Sequence, residues 1–276
     1  MMARRTPREG VLQNNERRAI RCIEIVFSPT GGTRKVADRA AAALGEVVEV
    51  VDLADARTDF SAVSMEGAEV ALVAMPCFGG RVPRVAMERF GRIAGAGVPC
   101  VVVNVYGNRA FDDALLEMAD GAASAGFSVA AALAAVAEHS IMHQYAAGRP
   151  DASDDARIAE LIGAVRSALD EGHAVEAPSV PGKRPYVKEG AVPLAPKYTG
   201  SCHRCGRCVE ACPVEAVDAT TLKTDKGACI ACMGCVAVCP DRVRTVSGLL
   251  VKAAALAIKK QEEGRKEAEL FSVARA

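Results

Sequence analysis

The sequence has no tryptophan, and Phe, Tyr and Trp together make up only 4% of its 276 residues. Aromatic packing therefore contributes little, and any core must be built from aliphatic side chains. Neither charge is in excess: Lys plus Arg and Asp plus Glu number 34 each. That balance gives no reason to expect a nucleic-acid partner or an anionic membrane surface. Long apolar runs are missing too. Val70–Met75 and Val101–Val103 are core-strand length, and no membrane span is expected where about 20 apolar residues would be needed. The first 21 residues are polar, carry six Arg and lack the apolar stretch of an export signal. Residues 1–21 read as a disordered N-terminal extension.

What is present is regular alternation. Apolar runs at Cys22–Phe27, Val47–Leu53, Val70–Met75, Val101–Val105 and Phe127–Leu133 alternate with Ala-rich segments. The helical candidates are Thr33–Leu44, Val82–Ala94, Ala110–Ala125 and Ala156–Leu169, with a less regular one at Ala54–Gly67. Val36, Ala40, Ala43 and Leu44 fall on one helical face. Such βα alternation implies a parallel sheet covered on both faces. Five strands favour a doubly wound α/β sheet over an eight-stranded barrel, and the domain is assigned to residues 22–172. Residues 173–198 hold five of the 13 prolines and no periodicity. They read as a linker, either a semi-rigid spacer or a strap along the first domain. Residues 248–276, apolar early and charged late over Leu249–Leu270, are expected to form a C-terminal amphipathic helix.

Eight of the 11 cysteines lie in residues 199–247, in two runs of the same spacing. The first is Cys202-x-x-Cys205-x-x-Cys208-x-x-x-Cys212-Pro213; the second is Cys229-x-x-Cys232-x-x-Cys235-x-x-x-Cys239-Pro240. Two-residue gaps let one tight loop present three thiolates to one cubane. A zinc site would instead pair two C-x-x-C knuckles. Spacing of this kind, needing thiolates, fits a reducing cytoplasm better than a disulfide framework. The module resembles bacterial-type ferredoxins with two 4Fe-4S clusters, small α+β domains. The resemblance implies that the fourth cysteine of each run ligates the other cluster. One cluster would take Cys202, Cys205, Cys208 and Cys239, and the other Cys229, Cys232, Cys235 and Cys212. Gly206 and Gly234 lie in the ligand loops, where N–H groups can reach sulfur; His203 falls outside the ligand pattern.

The first strand ends in Ser28-Pro29-Thr30-Gly31-Gly32-Thr33 and runs into a helix. Hydroxyls and free N–H groups at a helix start can encircle a phosphate. Arg34 and Lys35 in the first turn oppose the helix dipole, which a bound dianion would offset. The loop is neither a Walker nor a G-x-G-x-x-G pattern. It resembles the Ser/Thr-x-Thr-Gly-x-Thr loop that holds the FMN phosphate in flavodoxins. That resemblance implies strand order 2-1-3-4-5 and two further loops at the same edge, Pro76–Arg81 and Tyr106–Asp112. Phe78 and Tyr106 would clamp the flavin ring, with backbone groups of Gly79, Gly80, Gly107 and Asn108 at its edge. Cys77 reads as a small buried filler. Arg81, Arg109 and His139 are candidates for the substrate side, the last as a proton relay.

The order of modules resembles the flavodoxin–ferredoxin fusion proteins of anaerobic bacteria. It implies two 4Fe-4S clusters and FMN, a redox partner or low-potential donor, and a possible small-molecule acceptor. Three functions follow: an electron relay between clusters and flavin, a flavin reductase with its own substrate, and a non-catalytic iron-sulfur module with an empty pocket.

Overall fold

Side chains alternate between two apolar layers along the central strands, and this two-sided burial sets the architecture. The computed structural model describes residues 19–171, 177–188 and 194–272. Strands β1 (Arg21–Val26), β2 (Glu46–Asp52), β3 (Val70–Pro76), β4 (Pro99–Tyr106) and β5 (Ser128–Val136) pair in parallel in the order β2-β1-β3-β4-β5. Cys22, Leu72, Val103 and Leu133 pack on one side with α1 (Gly32–Leu44) and α4 (Ala152–Asp170). Ile25, Val73, Val102 and Ala132 pack on the other with α2 (Arg84–Phe90) and α3 (Ala114–Ser124). This is the flavodoxin-like, doubly wound order, with its switch point between β1 and β3.

Boundaries moved where punctuation residues act. The helix expected over Val82–Ala94 shrinks to α2 because Pro83 occupies its N-cap, and the chain leaves the helix after Phe90. Between β2 and β3 the weakly helical stretch yields a single 3₁₀ turn, Phe60–Ala62, with Phe60 buried in the core. α4 starts earlier than expected, through a capping box between Asp151 and Asp154.

The cysteine module contains β6 (Lys197–Tyr198), α5 (Arg207–Glu210), α6 (Gly234–Ala237) and β7 (Arg244–Thr245), with β6 and β7 antiparallel. α7 follows at Gly248–Ile258. The expected C-terminal helix over 248–276 is corrected here. The chain turns at Gly264, where φ is +79°, and returns to the large sheet as β8 (Glu269–Ser272), antiparallel to β5. The sheet therefore has six strands rather than five. Leu270 packs on one layer and Phe271 on the other, and the strand covers an edge of β5 that would otherwise expose unpaired backbone groups. Four residues are too few for period-two alternation to stand out from a helical reading.

Of the two linker readings, the strap is the one seen. Within 177–188, the N–H groups of Lys183 and Val187 donate to the Asp113 carboxylate at 2.8 and 2.6 Å. Arg184 and Tyr186 both bond Asp120. Residue 172 of the expected first domain, residues 173–176 and 189–193 of the expected linker, and residues 1–18 of the expected extension lie outside the described residues. Among the described residues no helix is long and apolar enough to cross a membrane.

Candidate functional site

Strand β1 delivers Ser28–Thr33 to the carboxyl edge of the sheet, at the switch point. Gly31 is the N-cap of α1 with φ +87°, and the Arg34 N–H donates to Ser28 Oγ at 2.8 Å, which ties the loop to the helix start. Among the described residues nothing accepts from the backbone N–H groups of Thr30, Gly32 or Thr33. Three unused donors at the positive end of a 13-residue helix form a cradle suited to an anion. Arg34 does not face it. Its guanidinium bonds Glu24 at 2.8 Å, a carboxyl that burial pushes up and Arg34 holds down.

The cradle opens into a cleft of about 480 Å³ lined by Ser28, Thr30, Phe78, Tyr106, Gly107 and His139, among others. Gly32 and Thr33 also line it. Phe78 stands at its margin. Tyr106 is 4% exposed and packs edge-on against Phe111 at 5.5 Å, so it is a wall of the cleft and not a free clamp. Cys77 lines the cleft as a protonated thiol, pushed up to about 12 by burial.

His139 is half-buried behind Gly107. A Cβ on Gly107 would lie 2.7 Å from His139 Cδ2, so only glycine fits there. Nδ1 of His139 accepts the N–H groups of Ile141 and Met142 at 3.1 and 3.2 Å. The neutral ring must then carry its proton on Nε2. Burial is the main cause that lowers this histidine to about 4, with His143 adding repulsion.

The two candidate arginines do not face the cleft. Arg81 forks onto Glu117 at 2.8 Å, bonds Val187 O and lies over the Tyr186 ring at 4.8 Å. Arg109 pairs with Asp112. Gly79 and Gly80 make a tight turn closed by Phe78 and Arg81, outside the cleft lining. Asn108 is buried beneath the C-terminal segment: its Nδ2 donates to Gly264 O at 3.0 Å, and Lys266 caps its carbonyl. Sequence reasoning missed this cover because its partners lie more than 150 positions away.

The two cysteine runs build two small cavities. Cys202, Cys205, Cys208 and Cys239 line the first; Cys212, Cys229, Cys232 and Cys235 line the second. The loops repeat one backbone twist. Arg204 and Ala231 take φ +54° and +53°, and Gly206 and Met233 take +78° and +64°, at equivalent positions. Three of these are not glycine, and holding them left-handed costs about 1–2 kcal/mol each, strain of the kind found at ligand clamps. The N–H groups of Arg204 and Ala231 point at Cys202 and Cys229 sulfur, at 3.3 and 3.4 Å. Among the described residues no three Cys, His, Asp or Glu converge as a single-ion site requires. Burial pushes Cys232 up to about 12 and raises Cys229 and Cys235, so these thiols need a strong cation to ionise. His203 is exposed and bonds Asp241 at 2.7 Å, outside both cages.

Cavity and cage meet at one residue. Cys232 lines both the second cage and the cleft. A Cβ on Gly234 would lie 3.1 Å from Pro29 Cβ, so the second cluster loop rests on the phosphate-type loop. Arg89 donates to Pro213 O at 2.6 Å, a second tie between module and sheet.

Residues 197–245 match the 4Fe-4S dicluster domain family. No curated protein matches the chain. Among solved structures, a metal-soaked flavodiiron core from Synechocystis aligns at TM-score 0.42 and 15% identity, over 58% of this chain and 38% of that one. The chain therefore spans well under half of that protein. A flavodoxin from Archaea aligns at TM-score 0.39 and 15% identity, over 54% of this chain and 99% of its own. Flavodoxin 1 from Bacillus cereus aligns at 0.40 and 16%, over 56% and 99%.

Proposed function

We infer a function from one premise, a flavodoxin-like sheet joined to a 4Fe-4S dicluster segment, an arrangement that resembles flavodoxin–ferredoxin fusions. We propose that the chain is an electron relay, in which two 4Fe-4S clusters in the crossed cages exchange electrons with FMN in the cleft. Clusters pass single electrons, and a flavin converts these into two-electron chemistry. The observation that carries the reading is Cys232, a wall of both the second cage and the cleft.

The residues divide the work by position. Thr30, Gly32 and Thr33 would hold the phosphate through their unused N–H groups, and Phe78 and Tyr106 would bound the ring. His139 presents an Nε2 proton from a neutral ring and stays neutral above its lowered pKa. The first cage has the exposed Cys205 and is the side a donor protein would meet. A reducing cytoplasm would keep all eight thiols available. The substrate-reductase reading keeps His139 only, since Arg81 and Arg109 are held by Glu117 and Asp112.

Anaerobic purification followed by iron, sulfide and flavin assay tests the assignment, with about eight, eight and one per chain expected from ligand counting. Reductive titration tests the relay: flavin reduction must accompany cluster reduction. Clusters that reduce while bound flavin stays oxidised would defeat it.

A further inference from the structure

Arg244 is the one arginine of the module that is fully enclosed, at 2% exposure, in β7 just after the second cysteine run. Its Nη1 lies 3.8 Å from Cys208 Sγ and donates to Leu222 O at 3.0 Å. Its Nη2 donates to Thr224 Oγ1 at 2.6 Å. Among the described residues no carboxylate pairs with it, and nothing accepts from its buried Nε. The side chain lines the first cage, and Cys208, whose sulfur it faces, packs in one cluster with Cys235 and Cys212 of the second. A guanidinium stays protonated in any such setting. Burying it without a counter-charge is costly, and what the fold sets beside it is the Cys208 sulfur and the other thiols of the first cage.

We propose that Arg244 is a potential-setting residue shared by both clusters, raising the reduction potential of each and easing the second reduction after the first. The inference rests on the two-cluster reading above. Each cluster with its four thiolates is anionic and gains one further negative charge when a donor supplies one electron. A fixed cation nearby favours the more negative state, and the low-dielectric surroundings enlarge that preference. Because Cys208 packs against ligands of the second cage, the charge beside it also offsets repulsion between two reduced clusters. It acts on the clusters without ligating them.

The test is a reductive titration of the full-length, anaerobically purified protein, followed by electron paramagnetic resonance, for the parent, Arg244→Gln and Arg244→Lys. With eight irons retained, both one-electron steps of Arg244→Gln are expected to move to lower potential. The expected change in the reduction equilibrium is about tenfold, or about 59 mV for one electron. Arg244→Lys keeps the charge, so its shift is expected to be smaller. If Arg244→Gln fails to load iron, Arg244→Lys decides alone, and a lowered step supports the proposal. Unchanged potentials in the iron-loaded variants overturn it and leave Arg244 as a brace for Leu222 and Thr224. Iron loss from both variants also overturns it, since a residue that only tunes potential is dispensable for assembly. A parent with fewer than eight irons defeats the relay reading itself, a failure separate from unchanged potentials at full loading.

Discussion

His139 and Gly107 show how one backbone position controls a side chain. Gly107 leaves room for the imidazole, and two N–H groups fix which ring nitrogen accepts. Gly107→Ala is expected to displace the ring from the cleft wall and weaken flavin binding, read as flavin retained after gel filtration of the holoprotein. The ring also makes stability depend on pH. Its folded pKa, about 4, lies below the ordinary 6.5, so between these values the unfolded chain binds the proton and the folded chain does not. Stability is therefore present above pH 6.5 and falls as pH drops toward 4, by about 3 kcal/mol in total. His139→Asn can still accept the neighbouring N–H groups and does not titrate in this range. Its Tm should fall less than that of the parent between pH 6.5 and 4; parallel Tm curves for the two proteins would show that another group governs the acid response.

At the scale of elements, the strap over 177–188 is held through very few atoms. Asp113 is buried and accepts both the Lys183 and Val187 N–H groups. Asp113→Ala leaves two donors without partners, at about 1–3 kcal/mol each. The expected outcome is a loss of about 2–4 kcal/mol in urea unfolding and faster proteolytic cleavage near Lys183, with iron content unchanged. The strap also shows where sequence reading stops. The alternating strands and helices and the phosphate-type loop were legible because each depends on local periodicity or a short motif, and the strand order followed from the resemblance that loop carries. The choice between spacer and strap depended on Asp113 and Asp120, some 70 and 65 positions before their partners. The C-terminal strand was illegible for a related reason. Glu269–Ser272 has no pattern of its own, and only the open edge of β5 selects a strand there. Arg244, too, sits in a two-residue strand with nothing in its neighbours to mark it as enclosed.

At the scale of the whole molecule, the cysteine module is not a terminal attachment. It is inserted between α4 and β8, so the chain leaves the α/β sheet, builds the cages and returns to the same sheet. Both ends are thereby anchored, and the second cage is held against the cleft instead of being left to find it by diffusion. The contact of Gly234 with Pro29 is where this anchoring touches the proposed redox path. Gly234→Val places branched carbon where a Cβ alone already meets Pro29 Cβ at 3.1 Å and Ala211 O at 3.2 Å. The crowded loops must separate, while all eight cysteines remain. Iron and flavin content are expected to match the parent, but flavin reduction following rapid cluster reduction should slow, as read by stopped-flow absorbance. An unchanged rate at full cofactor loading would mean that electrons reach the flavin by some route other than the Cys232 wall, and the insertion would then serve stability alone.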